Sequence, residues 1–401
     1  MSASSRGAAA SVPRRVLYLH TTSEVGGSDV SLLRLVEGLD RSRFQPVVAL
    51  PSDGPLVPRL EQAGCDVYRL PRMKKLTSRR GRRYLIGFAM NYPAAVVGLA
   101  RLVRRANIDL IHTNTIHNLY GIGAARLTGR PHVWHVREIV WQSRAVRRLE
   151  VGLARRCSDR VIVTSDAVAA MFVDRAGRRP ANLRQIANGV DLHRFAPGPS
   201  DARLAVEWGL PPGAPLVAAV CRLDAWKGVD VFLRAAALVR GAHPAARFLV
   251  VGGAVAGQEG HARELEQLAA ASGLGETVRF TGWRYTPADM PDVYRALRVL
   301  VLPSSQPEPF GLVLLEAMAA GVATIATAHG GPAEIVVDGE TGTLVPPRDP
   351  QAMATAIGDL LADPDRARAM GRAGRDRVER FFDLRRTVER IQAVYDELRP
   401  A

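Results

Sequence analysis

Glu308 and Glu316 are two carboxylates with seven residues between them, in the stretch 303–321, PSSQPEPFGLVLLEAMAAG. An ionised carboxylate accepts hydrogen bonds from a pair of neighbouring hydroxyls, so two placed close together suit a polyhydroxylated ligand. Between them, Phe310-Gly311-Leu312 offer backbone amides that form an anion or hydroxyl cradle if a helix begins there. A second group lies earlier in the chain. Arg222 and Lys227, five positions apart, can bring both heads onto one anion, the chemistry of a phosphate clamp. Taken singly, each has a plainer reading: Glu308 as a helix cap, Glu316 as a solvated helix residue, the two cations as surface charge.

The elements that must hold these residues favour the chemical reading. Val299-Leu300-Val301-Leu302 is a short apolar run of the kind that forms a buried parallel strand. A polar, Pro-rich turn follows, and from Phe310 the residues Leu312, Leu315, Met318 and Ala319 recur at helical spacing, with Gly321 as the stop. A strand, a tight turn and a helix start make a crevice at the carboxyl end of a sheet, where α/β proteins bind ligands. On that helix Glu316 falls under Leu312, on the face looking back at the ligand. Residues 216–221 (LVAAVC) form a second such strand, running into Arg222-Leu223-Asp224-Ala225-Trp226-Lys227-Gly228 and then a helix over 229–239.

With these patterns side by side, Glu308–Glu316 resembles the EX7E signature of the retaining glycosyltransferases of family 4. Residues 222–228 are similar to that family's RLxxxKG motif. The resemblance extends over almost the whole chain from Val16, specific in the second half and carried in the first half by strand rhythm. It implies an α/β protein of the GT-B fold, two facing Rossmann-like domains with a cleft between them. By the resemblance, Glu308 and the amides of Phe310, Gly311 and Leu312 hold the hydroxyls of a donor sugar, and Glu316 holds the ribose. Arg222 and Lys227 neutralise the diphosphate, and Trp283 lies beside the nucleotide base. His135, at the end of PHVWHVRE, contacts the donor sugar from the first domain. Gly26 and Gly27, where a helix begins after the first strand, let backbone approach the diphosphate.

The rest of the chain fits that frame. At 401 residues, 47% hydrophobic and 23% charged, it can hold two ordinary globular domains. Apolar strands begin near Val16, Val47, Asp66, Ile108, Pro131 and Arg160 and alternate with helices, the rhythm of a parallel sheet. The expected division is a disordered tail over 1–13, a first domain over 14–197, and a second over 198–383. Residues 196–200 (APGPS) serve as linker, and a helix over 384–401 returns to complete the first domain. Cys65, Cys157 and Cys221 match no metal spacing and read as core residues of a reducing compartment.

The formal charge of +15 calls for an anionic partner. Aromatic-interleaved basic patches and zinc spacings are absent, which disfavours nucleic acid. Residues 72–83 (RMKKLTSRRGRR) hold seven basic residues and no acid, and an uncharged apolar segment follows over 84–100. That segment is short and broken by Asn91 and Pro93 for a membrane span, so it reads as a core helix or as an interfacial one.

The resemblance implies transfer of a hexose-type sugar from a nucleoside diphosphate donor to a glycan or lipid-linked acceptor of the cell envelope or an exopolysaccharide, with retained configuration. No metal or other cofactor is expected, since the DxD candidate, Asp363-Pro364-Asp365, sits at a helix boundary away from any strand end. The expected location is the cytoplasm, peripherally at the inner face of an anionic membrane. Two other readings stay open: a sugar-nucleotide epimerase, which gives no reason for EX7E, and a non-catalytic sugar-nucleotide binder. Release of nucleotide from a donor panel separates them.

Overall fold

The computed structural model describes residues 12–24, 26–76, 81–140, 143–211, 213–255 and 257–398. The expected tail falls largely on residues 1–11, and Arg79 and Arg80 of the basic stretch on 77–80, outside the described residues. The chain divides into two compact units, residues 1–164, 168–186 and 388–401 forming the first and 165–167 with 187–387 the second.

Unit 1 carries seven parallel strands: β1 (Arg14–Leu19), β2 (Phe44–Leu50), β3 (Asp66–Arg69), β4 (Leu110–Thr113), β5 (His132–Val136), β6 (Arg160–Val163) and β7 (Leu183–Gln185). Their order is β3-β2-β1-β4-β5-β6-β7. Alternation along the strands sorts side chains to two faces. Leu17, Leu19, Val47, Ala49, Ile111, Trp134 and Val136 join one buried cluster with Phe88, Val96, Leu99 and Val103 of the helix Gly81–Arg105. On the returning helix Leu384–Asp396, Tyr395 packs edge-on to Phe44, and Gln392 accepts from the Asp40 amide at 2.8 Å. Just beyond that helix, Glu397 pairs with Arg160 and Arg184.

Unit 2 carries β8 (Leu216–Val220), β9 (Arg247–Val251), β10 (Val278–Gly282), β11 (Val299–Leu302), β12 (Ala323–Thr327) and β13 (Thr343–Val345), ordered β10-β9-β8-β11-β12-β13 and all parallel. Val217, Ala219, Val299 and Val301 face one apolar cluster, and Ala218, Leu300 and Leu302 face the other. With both faces covered, each strand reads as a continuous apolar run.

One boundary differs from expectation. The chain leaves unit 1 after Ile186, ahead of the Pro/Gly-rich stretch 196–200, and re-enters it at Val388. Inside unit 2 the outgoing and returning segments bind each other. The Val190 amide donates to Phe382 O at 2.9 Å, and the Leu384 amide to Val190 O at 3.1 Å. The stretch read as linker belongs to the body of unit 2, where Ala196 O accepts from Arg295 Nε at 2.9 Å. Linker composition marks a turn-rich path, and such a path can equally run over a domain's own surface.

Candidate active site

In an open parallel sheet, neighbouring strands whose connections run in opposite directions leave a crevice at their carboxyl ends. In unit 2 that switch point lies between β8 and β11, and the loops leaving these strands carry Lys227 and Glu308. Lys227 Nζ sits 2.8 and 3.1 Å from the two carboxylate oxygens of Glu308. Both side chains are mostly buried, and Nζ also lies 4.1 Å from the centroid of the Trp226 ring. Ser304 Oγ donates to Glu308 Oε2 at 2.8 Å, so the carboxylate is fixed from two sides.

The loops approach too closely to admit side chains. Gly228, at φ +68°, would place a Cβ 2.0 Å from Pro303 O, and Gly330, at φ +76°, one 2.2 Å from Glu308 O. Glycine at these two positions is what lets the β8, β11 and β12 loops close around the pair.

The spacing of Arg222 and Lys227 predicts that both heads converge on one anion. In the structure each is held by a different carboxylate: Arg222 pairs with Asp224 at 2.8 Å while remaining half exposed, and Lys227 pairs with Glu308. A cation resting on a carboxylate is preorganised but still needs its partner displaced, or shared, when an anion binds.

Phe310 is buried, Gly311 is the N-terminal cap of the helix Leu312–Ala319, and Leu312 opens it. The first amides of a helix have no acceptor within it, so this turn offers donors beside Glu308. Glu316 lies on that helix, mostly buried, and receives a 2.7 Å hydrogen bond from Tyr294 OH. Trp283, just past β10, is 57% exposed, with its Nε1 donating to Ala254 O at 2.8 Å. Its ring rests on Gly253, whose carbonyl accepts from the Leu223 amide in the β8 loop.

Unit 1 has its own switch point, between β1 and β4, and it too is polar. Gly26 caps the helix Gly27–Glu37, and its amide donates to Asp29 Oδ2 at 2.9 Å. Asp29 Oδ1 receives Thr22 Oγ1 at 2.6 Å and lies 2.8 Å from His20 Nε2. Burial pushes the Asp29 carboxyl up, but the hydrogen bonds from His20, Thr22 and Gly26 outweigh it and hold the group below the usual carboxylate range. Asn114 Nδ2 donates to His20 Nδ1 at 3.2 Å, and Asn114 Oδ1 accepts from Arg137 Nε at 2.9 Å.

His135, expected to contact the donor sugar, is 1% exposed. It lies edge-on to His112, with ring centroids 5.3 Å apart, and Arg137 donates to its Nδ1 at 3.3 Å. Burial, then the Arg137 charge and His112, press its pKa well below the usual histidine value, so the ring is neutral. With Nδ1 accepting, the proton sits on Nε2, and that buried atom has no hydrogen-bond partner among the described residues. The strand ends one residue later, at Val136, but Arg137 and His112 pack against the ring, and burial follows from that packing. Asp363 and Asp365 are committed elsewhere: Asp363 accepts from the Arg366 amide at 2.9 Å as a helix cap, and Asp365 pairs with Arg368.

Residues 26–189 match the model of the glycosyl transferase 4-like domain, and residues 201–377 that of the glycosyl transferases group 1. A GDP-mannose-dependent alpha-(1-6)-phosphatidylinositol monomannoside mannosyltransferase of Mycolicibacterium smegmatis is 34% identical over 295 residues, 71% of this chain and 75% of that protein. The chain belongs to the family 4 glycosyltransferases, of GT-B fold. A D-inositol 3-phosphate glycosyltransferase of Catenulispora acidiphila is 38% identical over 232 residues, 56% of this chain; the chain spans about half of that relative's length, 53%. The crystal structure of Anabaena HepE in complex with UDP and glucose superposes with a TM-score of 0.83, at 27% identity, over 96% of this chain and all of that one.

Lys227 and Glu308, separate candidates in the sequence, are brought by the fold into one ion pair. Ser304 and Tyr294, which position the two glutamates, and the His20–Asp29–Asn114–Arg137 network were not among the expected site residues. The signal available for that network was polar residues directly after β1, β4 and β5, each a strand carboxyl end.

Proposed function

We propose that this glycosyltransferase moves a hexose from a nucleoside diphosphate sugar to a hydroxyl of a glycan or lipid-linked acceptor, with retention of configuration and without a metal. The observation that carries the reading is the Lys227–Glu308 pair at the β8/β11 switch point, flanked by Arg222 and by the amides that open the helix Leu312–Ala319. A diphosphate entering there draws Lys227 and Arg222 onto its oxygens, and Glu308, released from Lys227, accepts from hydroxyls of the sugar. HepE, the neighbour at 27% identity, is described with UDP and glucose, and the mycobacterial relative acts on a phosphatidylinositol mannoside, a lipid-linked acceptor.

In the reaction the bond from the anomeric carbon to the diphosphate oxygen breaks, and a bond to the acceptor oxygen forms on the same face. The acceptor hydroxyl proton passes to the departing phosphate oxygen, so no separate base is needed. Charge develops on the diphosphate as the bond breaks, and fixed cations at that point lower the barrier. Glu316, held by Tyr294, accepts from the ribose hydroxyls, and Trp283 supports the base.

Incubation of the full chain with UDP-, GDP- and ADP-hexoses, with and without a crude glycolipid acceptor fraction, tests this. Acceptor-dependent release of one nucleoside diphosphate is the expected result. Absence of release with every donor, or interconversion of the donor sugar without release, overturns it.

A further inference from the structure

The helix Gly81–Arg105 faces two ways, and both faces are apolar. Phe88, Val96, Leu99 and Val103 are buried in the core of unit 1, and Tyr92 stacks on Tyr120 with ring centroids 5.3 Å apart. The opposite stripe carries Ile86 at 60% exposure, Met90 at 78% and Val97 at 40%, with Pro93 and Ala94 exposed between them. These positions recur every three or four residues, so they form one line along the helix. An ordinary surface helix carries charge on that line. Here the charges stand at its ends, Arg83 before it and Arg101 and Arg104 after it, all exposed.

The basic stretch that precedes the helix is fastened to it. Met73 and Leu76 are buried, Tyr84 OH donates to Lys75 O at 2.7 Å, and Asn91 donates to Arg72 O. Arg72, Lys74 and Lys75 point to solvent beside the first turns of the helix. From residue 72 to residue 105 the chain has ten basic residues and no acidic one.

We propose that the stripe Ile86–Met90–Val97, framed by these cations, seats unit 1 on an anionic lipid surface, with the helix lying in the interface. The apolar line supplies the part that enters the headgroup layer, and the flanking cations supply attraction to acidic lipids. Length and hydropathy would let residues 83–105 cross a membrane, but only with loss of the packing made by Phe88, Val96, Leu99 and Val103. The helix therefore lies on the bilayer without spanning it. A lipid-linked acceptor would then be met within the plane of the membrane. The proposal itself concerns binding and does not depend on which sugar is transferred.

Flotation of the full chain with vesicles decides it. Phosphatidylcholine vesicles with about a third phosphatidylglycerol should carry the protein at low salt. Pure phosphatidylcholine should not, and raising salt tenfold should release it, since the attraction is screened within a Debye length of about 10 Å at 0.1 M. Ile86→Asp with Met90→Asp, both at exposed positions, should lower partitioning at least tenfold and leave donor turnover in detergent unchanged. No flotation with anionic vesicles at low salt overturns the proposal, as does equal flotation of the double variant. So does protein that resists both high salt and carbonate extraction, which would mean a spanning helix. A dimer that the double variant splits, without vesicle binding by the parent, overturns it in favour of a second copy on the same face.

Discussion

The two units place polar residues at the same topological position and fill it with different chemistry. At the β8/β11 crevice of unit 2 the groups are formal ions, Lys227 on Glu308 and Arg222 on Asp224. At the β1/β4 crevice of unit 1 the groups form a chain of imidazole, amide and guanidinium that ends on the carboxylate of Asp29, with Glu138 accepting from the Ile116 and Arg137 amides beside it. All four buried histidines among the described residues, His20, His112, His132 and His135, belong to unit 1. The difference teaches which unit is built to meet charge. A diphosphate needs cations that can leave a carboxylate and turn to it. A hydroxyl needs a neutral donor held still.

The strongest way to break this comparison is to remove one charge from unit 2 and one donor from unit 1. Lys227→Ala should lower kcat by ~100-fold or more, because losing one preorganised contact to a developing anion costs about 2.7–4 kcal/mol. His135→Asn keeps a donor of similar size and should cost ~10-fold or less, in line with a neutral hydrogen bond of about 0.5–1.5 kcal/mol. Steady-state kinetics on variants with unchanged circular dichroism provide the measurement. A His135 variant as impaired as the Lys227 variant would place the charge-bearing step in unit 1.

How far this contrast was legible in the sequence follows the same line. Unit 2 reads well because its chemistry is local: Val299–Leu302 matches the observed strand, and Arg222–Lys227 and Glu308–Glu316 each lie within one loop and helix start. Unit 1 reads as strand rhythm only, because its network gathers His20, Asn114 and Arg137 from the ends of three strands far apart in sequence. The strand order that juxtaposes them is a tertiary fact. The half-buried strand Leu183–Gln185, three residues long, was too short for periodicity to register. The helix Arg144–Cys157 escaped notice behind its arginines, and Tyr120–Thr128 behind its glycines.

Acid should separate the units next. His112, His132 and His135 are fully buried, and burial holds each below the usual histidine value, with His132 at about 3. The unfolded chain takes up these protons near pH 6.5, whereas the folded chain resists until much lower pH. Stability is therefore fully present above about 6.5 and is lost as pH falls towards the folded values. At pH 5 His132 alone accounts for about 2 kcal/mol, at about 1.4 kcal/mol per pH unit. Hydrogen exchange read peptide by peptide at pH 7 and pH 5 should show β4 and β5 losing protection well before β8 and β11. Equal loss in both units would mean that the buried histidines do not set the acid limit.

The smallest effect expected is none at all, on adding a chelator. A metal at a sugar-nucleotide site serves to neutralise the diphosphate, and its usual protein ligands are free carboxylates at a strand end. Here the DxD-like pair is spent on other work, Asp363 capping the helix Pro364–Phe381 and Asp365 pairing with Arg368. The carboxylates at the β8/β11 crevice, Asp224 and Glu308, already face cations. Lys227 and Arg222 can supply two positive charges to a diphosphate without any metal, which is the contrast between the units carried to its limit. Initial rates with excess EDTA should equal those with magnesium, and the penalty of Lys227→Ala should stay the same in both. Activity lost to EDTA and restored by magnesium or manganese would put a cation where lysine is assigned the work. If magnesium also shrank the Lys227→Ala penalty, the metal and the lysine would be sharing one task, and unit 2 would be a metal site with a lysine beside it.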